Sequence, residues 1–267
     1  MKSYPAIDFR SSNAELIYAA LDDFSPTAID EHEDGLRAYF VTRDARDAAQ
    51  AALASQFDVS SIEVPDDDWA RRSQADLQPI TVGQITIIPS PQSEIRNPQS
   101  AIIVISPSMG FGTGHHATTR LCLEALQRMD LHGKTLLDIG TGSGVLAIAA
   151  RVLGAEHAVG IDVDPDAIQS ARENLALNPG VSDVSFSVAD LRSHAVDPVD
   201  VVTANLTGTL LARAARTLLD ITKPGGVLIL SGLMTTERDA VLDAFAAAIV
   251  FWERFEDEWI GLAVKKP

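Results

Sequence analysis

The run Thr135-Leu136-Leu137-Asp138-Ile139-Gly140-Thr141-Gly142-Ser143-Gly144-Val145-Leu146 constrains this chain more than any other stretch. It reads as a buried strand, a glycine loop and a helix start. Apolar and β-branched residues in a short, almost unbroken run suit a strand covered on both faces. Gly140, Gly142 and Gly144 let the backbone turn sharply and approach a ligand closely. The helix that begins near Gly144 offers free N–H groups and the positive end of its dipole. Such a strand-loop-helix unit binds the polar part of a nucleotide-like ligand.

The spacing narrows the ligand. A dinucleotide fold uses G-x-G-x-x-G to seat a pyrophosphate. Here the spacing is G-x-G-x-G, one residue tighter. A second apolar run, His157-Ala158-Val159-Gly160-Ile161, ends at Asp162, where a carboxylate can accept from both ribose hydroxyls. The combination resembles motif I of the class I S-adenosylmethionine methyltransferases. The competing readings of this stretch are a plain strand-helix turn and an NAD site with an aberrant loop.

Composition sets the outer limits. The 267 residues suffice for one large domain, or for a medium domain and a small one. No apolar run approaches a membrane span, and the start Met1-Lys2-Ser3-Tyr4-Pro5 lacks an apolar signal core, so a soluble cytoplasmic protein is expected. A single cysteine, Cys122, excludes an internal disulfide and a cysteine metal cluster; no metal is expected. The net charge of −16 argues against direct nucleic-acid binding, which needs clustered Lys and Arg. Residues 1–68 hold 15 acids and 5 bases, a net −10 in a quarter of the chain. That is either a solvated acidic surface or a module that steers a basic partner.

The first segment alternates strand and helix patterns. Ala6–Arg10 is a strand pattern, and Ser12-Asn13-Ala14-Glu15 is a capping box for a helix to about Leu21. A hairpin is expected to turn at Asp34-Gly35, then a helix over 44–56 and a strand over 59–64. The order β-α-β-β-α-β predicts a small ferredoxin-like α+β domain over residues 1–64. Residues 65–80, with Pro65-Asp66-Asp67-Asp68-Trp69 at their start, read as an exposed linker or linker helix. Trp69 is an anchor for a partner or cofactor, or simply packs at the junction. The remaining 81–267 form the second domain. It opens with paired strands, 84–88 and 101–105, around a proline-bearing surface loop.

A second glycine loop follows, Met109-Gly110-Phe111-Gly112-Thr113-Gly114-His115-His116-Ala117-Thr118-Thr119, and feeds a helix with Leu121, Leu123, Ala125, Leu126 and Met129 as its apolar face. Two such loops in one domain suggest that the Met109–Thr119 loop folds over the ligand bound by the Gly140–Gly144 loop. From Lys134 onward the pattern is β-α repeated, with seven strands, so a doubly wound, mostly parallel sheet is expected with one antiparallel strand. Asp164 and Pro165 are placed as N-cap and first-turn residue of a helix. Helices over 207–221 and 235–247 flank a strand over 227–231, which Lys223-Pro224-Gly225-Gly226 introduces as a turn.

Ligands of such sheets bind beyond the carboxyl ends of the strands. The glycine loop, Asp162, Asp190 and Asn205 all fall there. Asp190 can accept from an adenine amino group, with the Leu191 N–H nearby. Asn205 offers a neutral carbonyl acceptor, which orients an amine without trapping it as an ammonium; the alternative is a turn residue before the helix. Backbone N–H groups of the Met109–Thr119 loop and the Thr119 hydroxyl can reach the methionine part of the donor. His115 and His116 either accept the amine proton or orient the loop. Cys122 reads as core, and Glu258-Trp259 as a substrate mouth or edge-strand packing.

These markers together resemble the ribosomal protein L11 methyltransferases, the PrmA family. The family signature Phe-Gly-Thr-Gly-x-His-x-Thr-Thr is matched by Phe111–Thr119, motif I by Asp138–Ala149, and the segment after it by Gly160–Ala167. Ala204-Asn205-Leu206, Ser231-Gly232-Leu233 and Glu258-Trp259 are similar too. The likeness is specific over 107–267; over 1–64 only the order of elements agrees. Departures are His115-His116-Ala117 for the more usual Thr-His-Pro, Thr141 where Cys is common, and a shorter N-terminal domain.

The resemblance implies a substrate-recognition domain (1–64), a linker helix (65–80) and a Rossmann-like catalytic domain (81–267) with a seven-stranded methyltransferase sheet. It implies methylation of amino groups of the ribosomal protein, lysine side chains above all, with S-adenosylmethionine; a monomer without membrane contact is expected. The implied donor contacts are Thr119, Gly140, Asp162 and Asn205, beside Gly142, Gly144 and Asp190 from the loop and strand ends; Asn205 is also the catalytic candidate. The alternatives are a lysine methyltransferase of another protein and a non-catalytic S-adenosylmethionine-fold module, which donor calorimetry separates. Nucleobase and glutamine methyltransferases are disfavoured because Asn205-Leu206-Thr207 lacks the Asn-Pro-Pro-aromatic motif.

Overall fold

The computed structural model describes residues 3–10, 17, 20–21, 24, 26–32, 35–65, 78–91, 93, 100–106, 114–191 and 196–267. The chain divides into two compact units, residues 1–76 and 77–267.

In the first unit, β1 (Ser3–Phe9), β2 (Ala28–His32), β3 (Gly35–Tyr39) and β4 (Val59–Pro65) form one sheet in the order β2-β3-β1-β4. Every neighbouring pair is antiparallel. This is the ferredoxin-like order. The strand period of two explains the core: Ile7 and Phe9 of β1 join Leu36, Ala38 and the helix residues Ala49 and Leu53 on one face. Ala6 turns to the other face with Tyr39 and Val64. Helix α1 (Arg43–Leu53) starts where expected, capped by the Thr42 hydroxyl, which accepts from the Ala45 N–H at 3.2 Å. Ile17 and Leu21 are helical and buried. The capping box at 12–15, the turn at 33–34, Trp69 and most of the expected linker helix lie outside the described residues.

The second unit opens with a three-stranded sheet of β5 (Ile80–Val82), β6 (Ile85–Ile88) and β7 (Ala101–Val104). The sequence pattern yields β6 and β7 but not β5, which is three residues long and pairs with β6 through a tight turn at Gly83, where φ is +57°. β6 and β7 are parallel.

The main sheet has seven strands: β8 (Thr135–Ile139), β9 (His157–Asp162), β10 (Val184–Val188), β11 (Val199–Asn205), β12 (Thr222–Met234), β13 (Ile249–Glu256) and β14 (Trp259–Lys265). Their order is β10-β9-β8-β11-β12-β14-β13. β14 alone runs against both neighbours; the others pair in parallel. Successive residues of β8 serve opposite layers. Leu136 packs with α2 (Ala117–Leu126) and α3 (Val145–Val152) residues such as Leu123 and Ile148. Leu137 packs with Leu211 and Leu218 of α5 (Gly208–Asp220) and Val241 of α6 (Arg238–Ala244). Burial on both faces is why the strands read as continuous apolar runs. Helix α4 (Pro165–Ala176) begins as read, with the Asp164 carboxylate accepting from the Asp166 N–H at 2.9 Å and Pro165 in the first turn.

Helix α1 ends at Leu53, three residues short of the expected 56, and two further boundaries differ more. β12 takes in Lys223-Pro224-Gly225-Gly226 rather than following them as a turn. The extra residues are absorbed as a register shift, with Val199 opposite Thr222 but Val201 opposite Val227, and Gly225 adopts φ +74°. The single helix expected over 235–247 is a 3-10 turn (Thr235–Glu237) followed by the shorter α6. Among the described residues no helix is long and apolar enough to cross a membrane.

Candidate active site

The strand order reverses between β8 and β11. From β8 the chain winds outward through β9 to β10, then returns to the other side of β8 as β11. Open α/β sheets form their ligand crevice at such a switch point, beyond the carboxyl ends of the strands. Gly140 follows β8, Asp162 ends β9, Asp190 lies two residues past β10, and Asn205 ends β11.

The glycine loop is held from two sides. The N–H groups of Gly140 and Thr141 donate to the Ile161 carbonyl at 2.9 and 3.0 Å. Gly140 adopts φ +68°, and a Cβ there would sit 2.7 Å from a Leu206 methyl. Gly144 caps α3 at φ +81°, where a Cβ would meet the Phe186 ring at 2.7 Å. Both positions therefore require glycine on conformation and space alike. Gly142 donates its N–H to Asp162 Oδ2 at 3.0 Å, and Asp164 donates its N–H to Oδ1 at 3.1 Å. The half-buried Asp162 carboxylate thus fixes the loop and still has lone pairs for a ligand. The Ala189 N–H donates to the Asp162 carbonyl at 2.9 Å, which holds the Asp190 segment beside it.

Beneath the loop lies a carboxyl group whose role the sequence pattern did not reveal. Asp138 is 1% exposed. It accepts from the Thr141 hydroxyl at 2.7 Å and from the Thr203 hydroxyl of β11 at 2.6 Å. Thr141, met above only as a departure from the family pattern, is therefore the donor that ties the loop to its own strand. Burial pushes the Asp138 carboxyl up to about 6; the two hydroxyl bonds oppose that, and the Asp162 charge adds to it.

This raised value predicts a pH dependence. Below about 3.8 the carboxyl is neutral in folded and unfolded chains alike. As pH rises from there through about 6 the unfolded chain ionises first, so stability is lost, on the order of 3 kcal/mol in all. Thermal unfolding at pH 5 and pH 7 checks this. Relative to Asp138→Asn, the wild type is expected to gain roughly 1 kcal/mol on going from pH 7 to pH 5. An unchanged difference would show that Asp138 titrates normally.

Asn205 pairs with Ser231 of β12, and the Leu206 N–H donates to the Ser231 carbonyl at 2.9 Å. Gly232, at φ +85°, admits this close approach: a Cβ there would lie 2.5 Å from the Leu206 carbonyl oxygen and 3.0 Å from Asn205 Oδ1. Among the described residues, none hydrogen-bonds the Asn205 side-chain amide.

The start of α2 comes to the same region. Cys122 lies beside Ser231 and feels the Asp138 charge; burial pushes its thiol up, as befits a core residue. Thr119, in the first turn of α2, is buried. His116 caps that turn: its Nδ1 accepts from the Thr118 N–H at 3.4 Å and lies 2.8 Å from the Thr118 hydroxyl. Its ring packs edge-on against Trp259, with centroids 4.9 Å apart. His115 Nε2 lies 2.9 Å from the Gln78 carbonyl oxygen. Of the two roles open to these histidines, the geometry favours holding the loop. Residues 107–113 of that loop, Phe111 to Thr113 included, lie outside the described residues.

Known proteins resemble the chain along most of its length. The family model for ribosomal protein L11 methyltransferase (PrmA) matches residues 14–267. The ribosomal protein L11 methyltransferase of Marinobacter nauticus is 38% identical over 229 residues, 84% of this chain and 75% of the relative. That of Deinococcus radiodurans is 37% identical over 244 residues, 90% and 86% of the two chains. A ribosomal protein L11 methylase from Lactobacillus delbrueckii subsp. bulgaricus, a solved structure, superposes with a TM-score of 0.65 at 28% identity, covering 72% of this chain and 99% of that one. With a family model spanning nearly the whole sequence and relatives this similar, the chain belongs to the ribosomal protein L11 methyltransferase (PrmA) family.

Proposed function

We propose that this chain transfers methyl groups from S-adenosylmethionine to amino groups of ribosomal protein L11, at lysine side chains and the N-terminal amine. The observation that carries the reading is the side-chain amide of Asn205, without a hydrogen-bonding partner among the described residues, at the switch point opposite a glycine loop too tight for any Cβ at Gly140 and Gly144. That loop fits the donor: its glycines let a ligand approach the backbone closely, and the start of α3 lies beside the Asp162 carboxylate.

Gly140, Gly142 and Gly144 would line the donor, Asp162 would hold its ribose hydroxyls, Asp190 its adenine amino group, and Thr119 its methionine end. When bound, S-adenosylmethionine supplies a methyl group on a sulfonium. The protein's task is then to position a neutral amine in line. The Asn205 carbonyl accepts one N–H of the incoming amine and directs its lone pair. A carboxylate there would stabilise the ammonium and withhold that lone pair; a carboxamide does not. Residues 1–64, with their excess of acids, serve as the recognition domain for a basic protein, and 65–80 link it to the catalytic domain 81–267. The site of action is the cytoplasm.

Incubation with isotope-labelled donor and purified ribosomal protein L11, followed by mass spectrometry, tests this. The substrate mass is expected to rise in methylene steps at lysine residues. An unmodified L11 alongside a different labelled protein in lysate would reassign the substrate.

A further inference from the structure

The entry to α2 is gripped by the hairpin of β13 and β14. Asp257, with φ +51°, helps turn that hairpin, and Glu256 faces Trp259 across it. Trp259 packs on the ring of His116. Glu256 accepts from Arg120 Nε at 2.8 Å and Nη2 at 2.5 Å. Further along, Arg254 Nη1 lies 2.9 Å from Glu124, which Arg128 also approaches at 3.9 Å.

The signs alternate on both elements. Arg120 and Glu124 stand one helical turn apart on α2, and Glu256 and Arg254 two residues apart on β13. One turn of helix advances about 5.4 Å and two strand residues about 6.6 Å, so the two rungs fit one register. A shift of α2 by one turn would set like charges opposite each other. Arg120 does more than form a rung: its remaining Nη1 donates to the carbonyl of His115. One guanidinium therefore joins Glu256 to the main chain four residues before Thr119.

We infer that Arg120 is a positioning residue for the methyl donor. Pinned by Glu256, it fixes the backbone at His115 and with it the placement of Thr119 against the donor. This rests on the reading of Thr119 as a donor contact. The pair is only partly buried, at 29% and 35% side-chain exposure, so its worth lies in geometry more than in stability. Arginine is needed because a planar fork serves a carboxylate and a carbonyl together; an ammonium on a flexible stem holds one at a time.

The test compares wild type, Arg120→Lys, Arg120→Ala and Glu256→Gln by calorimetry with S-adenosylhomocysteine and by kinetics with both substrates. Arg120→Lys is expected to weaken donor affinity about tenfold, with KM for donor rising in step, while kcat at saturating donor and KM for the protein substrate change less than about threefold. Glu256→Gln is expected to weaken donor affinity about threefold, and it decides the matter should Arg120→Ala fail to fold. A fall in kcat with donor affinity intact would overturn the inference, as would equal donor affinity in all folded variants. A wild type that binds no donor would instead remove the donor site itself, and this inference with it.

Discussion

Asn205→Ala is expected to lower kcat by about 10²- to 10³-fold while changing donor affinity less than about threefold. The asymmetry follows from where the side chain sits. The backbone at Asn205 is fixed by β11 pairing with Ser231 and by the Leu206 N–H donating to the Ser231 carbonyl, and none of these bonds uses the amide. Truncation therefore leaves the strand end and the Gly140–Leu206 contact in place. On the role proposed for Asn205, what is lost is the acceptor that orients the amine. An amine free to rotate, or displaced by about 1 Å, leaves the in-line geometry, and such misplacement alone costs on the order of 10²-fold. Single-turnover kinetics alongside donor calorimetry measure the two quantities separately. Equal loss of rate and donor affinity would make Asn205 a cofactor contact alone.

Asp162→Ala should show the opposite balance: donor affinity falling by about 10²- to 10³-fold. Two effects combine. The ligand loses a charged acceptor, worth roughly 1.5–3 kcal/mol. The loop also loses its anchor, because the N–H groups of Gly142 and Asp164 both donate to this carboxylate. Both N–H groups would be left to water, and the loop would sample conformations that no longer fit a ligand. Asp162→Asn keeps one acceptor and should recover part of the loss. Calorimetry with S-adenosylhomocysteine decides, and an Asp162→Ala protein that binds as wild type does would remove Asp162 from the site.

Much of this was legible locally. Glycines at 140, 142 and 144 can be read because positive φ and close approach are properties of one residue and its immediate neighbours. Asp162 and Asn205 could be placed because an apolar run reveals a strand and a strand has a definite carboxyl end. Asp164 and Pro165 announce a helix start for the same reason. Where local signals are weak, tertiary pairing sets the element. β5 has only three residues, too few to show a period. Pro-Gly-Gly at 224–226 is turn chemistry, yet β12 runs through it: the Gly225 N–H donates to the Lys266 carbonyl and the Lys266 N–H to the Gly226 carbonyl, tertiary bonds that outweigh the local preference.

The sequence by itself determined most of the elements, the glycine loop and the acids and amide at the strand ends, since each depends on spacing along a few residues. Only the tertiary structure decided which of them act together. Thr203 meets Asp138 across 65 residues, and Arg120 meets Glu256 across 136. The crossover that returns β11 beside β8 sets Asn205 next to the loop. His116 and Trp259 become neighbours only when β14 inserts antiparallel between β12 and β13. No periodicity encodes such meetings, because they depend on which strand pairs with which. That choice is made by burying both faces of the sheet at once.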